Sequence, residues 1–132
     1  MAISNVTSSD SILNAYLGII RSAYTGRDAR SAMADAVNRC YVCAVQKAGG
    51  AKNGVTRSVI NVHIDRIRNA VFGEEVRDAL KTGLTLCYSA RDKSVPSAET
   101  TYFNNLITAQ TGEDLKNGIL NSIAKCCRDV MT

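Results

Sequence analysis

The cysteines are the residues of this chain whose chemistry could serve a metal or redox site. The sequence holds five of them and one histidine, His63. Cys40 and Cys43 have the C-x-x-C spacing that is typical of zinc ligands and redox motifs. No second C-x-x-C and no pair of histidines accompanies them, and the motif falls within a predicted helix. Core packing of reduced, intracellular thiols is therefore the favoured interpretation, and we predict no metal site and no cofactor.

Carboxylates that could take part in acid–base chemistry follow three glycines of the chain. A structural role explains them, because the helix dipole favours negative charge in the first turn of a helix. The acidic residues concerned are Asp28, Glu74, Glu75, Glu113 and Asp114. We find no set of nucleophile, base and orienting group in the sequence, and no phosphate loop of the G-x-x-x-x-G-K-[ST] kind. We therefore predict no catalytic residues and no enzymatic activity.

An internal repeat organises the chain. Gly73 follows Gly26 by 47 residues and Gly112 follows Gly73 by 39, and alignment on these glycines needs no internal gap. Basic, apolar and cysteine positions then coincide in three copies. The aligned sets are Arg30, Arg77 and Lys116; Met33, Leu80 and Ile119; Val37, Leu84 and Ile123; and Cys40, Cys87 and Cys126. We expect these three cysteines to be buried, unpaired and without metal, because they share an apolar position of a predicted helix.

Apolar residues recur at intervals of three and four, which predicts two helices in each copy, joined at the glycine. In the first copy the predicted stripes are Ile12, Tyr16, Ile19 and Ala23, then Ala29, Met33, Ala36, Val37, Cys40 and Ala44. The six predicted helices span about 10–24, 27–46, 56–72, 74–90, 96–110 and 113–132. Gly26, Gly73 and Gly112 are predicted helix junctions, where glycine can adopt the left-handed conformation that ends a helix.

These helices predict an all-α protein, a compact six-helix bundle made of three helix–Gly–helix repeats. A single helix pair would expose its apolar stripe, so the pairs must bury one another. The polar residues 1–9 are expected to be flexible, and residues 10–132 are expected to form one helical domain. The repeats within it span about 10–47, 56–91 and 96–131.

The charge pattern is mild. The net charge is +4 and the pI is about 8.9, with charges of both signs interleaved, so nucleic-acid binding is not indicated. Arg30, Arg77 and Lys116 each follow their glycine by the same four residues and are therefore candidates for an interface with an acidic partner. The alternative, that they are solvated or paired with nearby carboxylates, stays open.

The repeat resembles a segment of phage structural proteins. The string I-x-x-I-R-x-A-[VIY]-x-G-[KRE]-[DE]-V-R-x-A-[IL] is similar to helical anchoring and assembly segments of phage baseplate, tail-fibre and head-fibre proteins. Residues 63–80 match it closely and residues 19–33 match it moderately. Those proteins usually carry one copy before a fibre or receptor-binding region, whereas this sequence carries three copies and no such region. The resemblance implies a virion location after assembly in the bacterial cytoplasm, with the chain itself or other phage structural proteins as partners.

Two functions from different classes follow. The first is a phage or prophage virion structural protein, a small helical assembly, adaptor or fibre-associated module without enzymatic activity. The second is a helix-turn-helix nucleic-acid binder, because Arg27, Arg30, Arg66, Arg68 and Arg77 lie near the corners. Recognition helices usually present base-reading polar residues at their start, and here that turn is acidic in two copies, which favours the first. No apolar run approaches the roughly 20 residues needed to cross a bilayer, and no signal peptide or membrane association is expected.

Overall fold

The computed structural model describes residues 10–22, 26–70, 73–96 and 112–132, and these form a bundle of α-helices. The helices are α1 (Ser11–Ser22), α2 (Arg27–Ala48), α3 (Arg57–Asn69), α4 (Gly73–Ala90) and α5 (Gly112–Met131). The part of the chain described contains no strand, which confirms the all-α prediction. The helix predicted at about 96–110 lies almost wholly outside the described residues, so α5 corresponds to the sixth predicted helix.

The helix ends follow local backbone chemistry. Thr56 caps α3, because its side chain accepts a hydrogen bond from the Val59 amide. Gly49 ends α2 in the left-handed conformation, with φ of 74°, and Gly50 N–H donates to the Val45 carbonyl at 3.0 Å. The predicted end of α3 near residue 72 is wrong, because Ala70 already adopts an extended conformation. Gly73 therefore begins α4 and does not terminate α3.

Three helices run in the same direction and form the centre of the bundle, and we call α2, α4 and α5 the inner helices. Their C-terminal ends lie together: the Tyr88 hydroxyl donates to Asp129 at 2.7 Å, and Lys93 donates to the Asp129 carbonyl at 2.8 Å. The loop after α2 reaches the same end, where the Lys52 amide donates to the Ala90 carbonyl. The outer helices are α1, which packs on α2 and α5, and α3, which packs on α2 and α4.

Three cysteine thiols lie at one level of the inner helices, and each donates to a backbone carbonyl of another inner helix. Cys40 on α2 donates to Ile123, Cys126 on α5 donates to Leu84, and Cys87 on α4 donates to Val37, with sulfur–oxygen distances of 3.9, 3.6 and 3.7 Å. All three cysteines are fully buried, as predicted, and each is a free thiol. The cyclic arrangement shows that these thiols fill the core and satisfy their weak donors there.

The buried face of α1 differs from the predicted one. Leu13, Leu17 and Ile20 are fully buried, whereas Ile12 is 48 % exposed and Ile19 is 44 % exposed. The prediction is wrong because α1 carries branched apolar residues on two adjoining faces, and spacing alone does not identify the face that meets α2 and α5. In α2 the predicted stripe is buried in full, since the opposite face of that helix is polar or small.

The start of α1 is fixed by an ion pair with α2. Asp10 is buried and accepts hydrogen bonds from the Arg39 side chain at 2.7 and 3.3 Å and from the Ile12 amide. The hydrogen bond from Arg39 lowers the pKa of Asp10, an effect that burial opposes. Asp10 therefore acts both as a cap of α1 and as an anchor for it.

This pair predicts a pH-dependent contribution to stability. Because the pKa of Asp10 is lowered in the folded protein, its stabilising effect is complete above the unfolded value of 3.8 and is lost as pH falls through the folded value. We expect the Asp10→Asn variant to be less stable than wild type at pH 7, by about 1–3 kcal/mol. Urea denaturation at pH 7 and again near pH 2 measures this difference. A difference that stays equal at both pH values contradicts the assignment.

Candidate interaction surface

The three repeat glycines occupy the starts of the inner helices. Gly26 is the N-cap of α2, with φ of 91° and ψ of 179°, a conformation that an L-residue rarely adopts. Gly73 and Gly112 are the first residues of α4 and α5. Gly26 and Gly73 therefore lie between two described helices, and the segment before Gly112 lies outside the described residues.

Arg30, Arg77 and Lys116 lie in the first two turns of the three inner helices. Because these helices run in the same direction, all three side chains are at the end of the bundle opposite Asp129. Each is partly buried, and Lys116 pairs with Glu113 at 3.2 Å in the same turn. The fold thus brings the three basic positions to one end, where the exposed carboxylates of the first turns lie as well.

An arginine-lined cavity of about 470 Å³ opens at this end. Arg27 and Arg30 reach it from the first turn of α2, and Arg68 reaches it from the last turn of α3, together with Ser31 and Asn69. Arg68 is paired with Asp35 at 2.8 Å. The Nε of Arg30 is buried and has no hydrogen-bond partner among the described residues. The cavity therefore offers guanidinium donors to an anionic group, such as a carboxylate of a partner protein.

Arg30 is a predicted interface residue, but its sequence spacing from Arg27 and Arg68 does not predict that the three lie together. All three arginines lie near predicted helix–Gly–helix corners, and this proximity was the sequence feature that could have indicated the cluster. The repeat alignment does not indicate this arginine cluster, because it pairs Arg30 with Arg77 and Lys116 of the other copies. The packing of α3 on α2 brings Arg68 beside Arg30 across 38 positions of sequence.

The outer helices present apolar side chains to solvent. On α1, Ile12, Ala15 and Ile19 are exposed at spacings of three and four, so they form one stripe. On α3, Val59 is 40 % exposed and Val62 is 57 % exposed. Ile12 and Val59 are separated by the same 47 residues as the first two repeat glycines. The two outer helices therefore expose an apolar residue at corresponding positions.

His63 shows no sign of a chemical role. It lies on α3, where burial and the nearby Arg66 lower its pKa, so the imidazole is neutral at pH 7. Its Nδ1 lies 3.4 Å from a guanidinium nitrogen of Arg66. This position is consistent with a packed side chain that supports the local charge network of α3.

Comparison with protein-family models, with curated proteins and with solved structures finds no match for this chain. In the described ranges, every helix is too short or too polar to cross a membrane. We therefore infer the function from the sequence resemblance and from the geometry of the bundle.

Proposed function

We propose that the protein is a non-enzymatic structural component of a phage or prophage virion. It acts as a small helical assembly, adaptor or fibre-associated module that binds copies of itself or other phage structural proteins. In this proposal it is made in the bacterial cytoplasm and becomes part of the particle. The resemblance of residues 63–80 to phage anchoring segments supports the proposal, and the exposed apolar residues of α1 and α3 are the structural observation that carries it.

The proposal includes a bundle of three equivalent helix–Gly–helix copies, six helices in all. The inner helices support it, because aligned positions share burial. Met33, Leu80 and Ile119 are buried, and so are Val37, Leu84 and Ile123. In the cyclic hydrogen bonds, each repeat cysteine donates to the carbonyl of another copy. In every case that carbonyl belongs to the residue three positions before the other copy's own cysteine. On the outer helices, Leu13, Leu17 and Ile20 of α1 align with Ile60, Ile64 and Ile67 of α3, and all six are buried.

Exposed apolar stripes suit assembly. Single exposed apolar residues are ordinary, but α1 presents three in one row and α3 presents two more. Burial of such side chains in a contact contributes roughly 25 cal/mol per Å² of apolar surface. In the part of the chain that the structure describes, most apolar residues of the inner helices are buried in the core, whereas α1 and α3 leave these apolar side chains exposed to a partner.

The basic end of the bundle provides charge complementarity for the same assembly. We expect the double variant Arg30→Glu and Arg77→Glu to weaken assembly by about tenfold or more at low salt, because it places like charges against an acidic partner surface. The effect should shrink at high salt, where charges are screened. Sedimentation velocity at two ionic strengths measures self-association, and circular dichroism checks that helicity is kept.

The double variant Lys52→Glu and Arg128→Glu is a matched control. It changes the net charge by the same amount, and both side chains are exposed near the opposite end of the bundle. Assembly of this control should resemble that of wild type. Equal losses of self-association in the two double variants, or no loss in either, would show that the basic end of the bundle does not contribute to assembly.

The alternative, a helix-turn-helix nucleic-acid binder, has weaker support. The arginine-lined cavity could accept a phosphate, which favours it. A recognition helix must expose its first turns to the major groove. In α2 the side chains of Ala29, Ala32 and Met33 in those turns are buried in the core. Salt-sensitive, nanomolar binding of a specific duplex by the wild-type protein would favour this alternative over the virion proposal.

A further inference from the structure

Two cysteines outside the repeated position meet a carboxylate at one place in the bundle. Asp10 precedes α1, Cys43 lies on α2, and Cys127 lies on α5. Their ligand atoms, one carboxylate oxygen and two Sγ atoms, all lie within 4.8 Å of one another. Asp10 is 8 % exposed, Cys43 is 6 % exposed and Cys127 is fully buried. Three separate parts of the chain therefore place two sulfur donors and one oxygen donor close together.

The repeat alignment shows that this donor set is specific to one place. The positions aligned with Cys43 hold Ala90 and Asp129, and those aligned with Cys127 hold Tyr41 and Tyr88. Both tyrosines use their hydroxyls: Tyr41 donates to the Val55 carbonyl at 2.8 Å and Tyr88 donates to Asp129. A thiol at position 127 thus replaces a buried tyrosine, and it faces a second thiol and a carboxylate.

The charges of this site suit the exchange of two protons for one divalent cation. Asp10 is paired with Arg39, and Cys43 and Cys127 are buried free thiols that must lose their protons to bind a cation as thiolates. Binding of a cation of charge +2 with release of both thiol protons gives two thiolates, one carboxylate, one guanidinium and the ion. The net charge of these groups is zero. Burial of the loaded site therefore adds no uncompensated charge.

We infer that Asp10, Cys43 and Cys127 form a binding site for a thiophilic divalent cation of the zinc class. Two thiolates and one carboxylate are a donor set that Zn²⁺ accepts in tetrahedral geometry. Tetrahedral bonds place such donors about 3.5–3.8 Å apart, so ligand atoms that lie within 4.8 Å of one another need to approach by at most about 1 Å. The fourth position is left for water. Cys40, Cys87 and Cys126 keep their place in the core and contribute no ligand.

An entry path and a positioning residue accompany the donors. A surface cavity of about 290 Å³ is lined by Cys43, Arg39, Gln46, Lys47 and Met131, and it gives an ion access to the Cys43 thiol. Arg39 holds Asp10 in place through two hydrogen bonds, as outer partners of metal ligands commonly do. Among the described residues, Arg39 and Lys47 are the cations that face the site, and the thiol of Cys40 is the other titratable group beside it.

The direct test is titration of the reduced, full-length protein with Zn²⁺ and with Co²⁺ under anaerobic conditions. We expect one ion per chain and release of two protons, measured by calorimetry in buffers of different ionisation enthalpy. Affinity should fall by about 100-fold for each pH unit below 8, because two thiols must lose protons. The Co²⁺ complex should show the absorption of tetrahedral thiolate coordination, and the melting temperature should rise with Zn²⁺. No stoichiometric binding, or binding without proton release, overturns the inference.

Variants locate the site. Cys43→Ser and Cys127→Ser should each weaken Zn²⁺ binding by more than about 100-fold, since loss of even an outer partner costs about 10–100-fold. Cys87→Ser changes an equally buried thiol on α4 and should bind Zn²⁺ like wild type. Circular dichroism establishes that each variant is folded. Equal weakening in Cys87→Ser and Cys43→Ser overturns the assignment, and the proton count and Co²⁺ spectrum of wild type remain decisive if a variant does not fold.

Discussion

The Leu84→Ala variant is expected to lose about 2–5 kcal/mol of unfolding free energy. Leu84 is fully buried at the level where the inner helices meet, and its carbonyl accepts the hydrogen bond of Cys126. Val37 and Ile123 on the other two inner helices are fully buried as well. Truncation of Leu84 therefore leaves a cavity among three helices, which can close only if the helices move. Urea denaturation followed by circular dichroism measures the loss as a lower midpoint at unchanged slope.

Leu86→Ala is the matched control for this prediction. Leu86 lies on the same helix and the substitution is identical, but its side chain is only partly buried at the edge of the core. We expect a loss of about 1 kcal/mol or less, in proportion to the smaller buried area. Similar losses at the two positions would show that α4 does not contribute its Leu84 side to the centre of the bundle.

The Gly83→Val variant should also be strongly destabilised, by about 1–3 kcal/mol. Gly83 is buried on α4, and a Cβ atom there would lie 3.1 Å from Cγ1 of Val37 on α2. The two further methyl groups of valine require α2 and α4 to separate. Close approach of these inner helices thus depends on the absence of a side chain at position 83.

Gly18→Val provides the comparison. Gly18 lies on α1, and a Cβ atom there would meet no atom within 4 Å outside the helix backbone. The change in unfolding free energy should stay within about 0.5 kcal/mol, because valine is a slightly better helix former than glycine. Thermal unfolding of the two variants side by side checks the pair. A Gly83→Val protein as stable as Gly18→Val would contradict the close packing of α2 on α4.

The inner helices could be located from sequence because each has one apolar face. In α4 the aligned apolar positions Leu80, Leu84 and Cys87 are all buried. Spacing identifies such a face, since apart from Val76, which shares it, and the adjoining Leu86 and Tyr88, the rest of the helix is charged, polar or small. Helix boundaries were predicted to within about two residues, except that α3 ends three residues before its predicted end because Ala70 is extended, a conformation for which alanine gives no signal.

The exposed face of α1 could not be predicted in the same way. Ile12 and Leu13, and likewise Ile19 and Ile20, are neighbours in sequence, so two stripes of similar hydrophobicity exist. Contact with α2 and α5 decides which one is buried, and that contact is a tertiary property. The same surplus of apolar residues leaves the stripe that we assign to assembly.

Sequence spacing could not predict a site whose residues are far apart in the chain. Asp10 and Cys127 are 117 positions apart, and only the packing of α1 and α5 on α2 brings their side chains beside Cys43. The C-x-x-C spacing pointed to Cys40 as the companion of Cys43. In the structure Cys40 donates toward Ile123, whereas Cys43 meets Asp10 and Cys127. Cys127 lies beside both cysteines of the motif, but the atoms that come within 4.8 Å of one another are its Sγ, that of Cys43 and a carboxylate oxygen of Asp10.

Quantitative mass spectrometry of gradient-purified virions tests the proposed function most directly. The particles are prepared from the bacterial host that carries the gene and are washed at high salt before digestion. We expect this protein to remain with the particles, in a fixed ratio to the other structural proteins, over repeated preparations. Recovery of the protein in the lysate, with none in the washed particles, would contradict its assignment as a virion component.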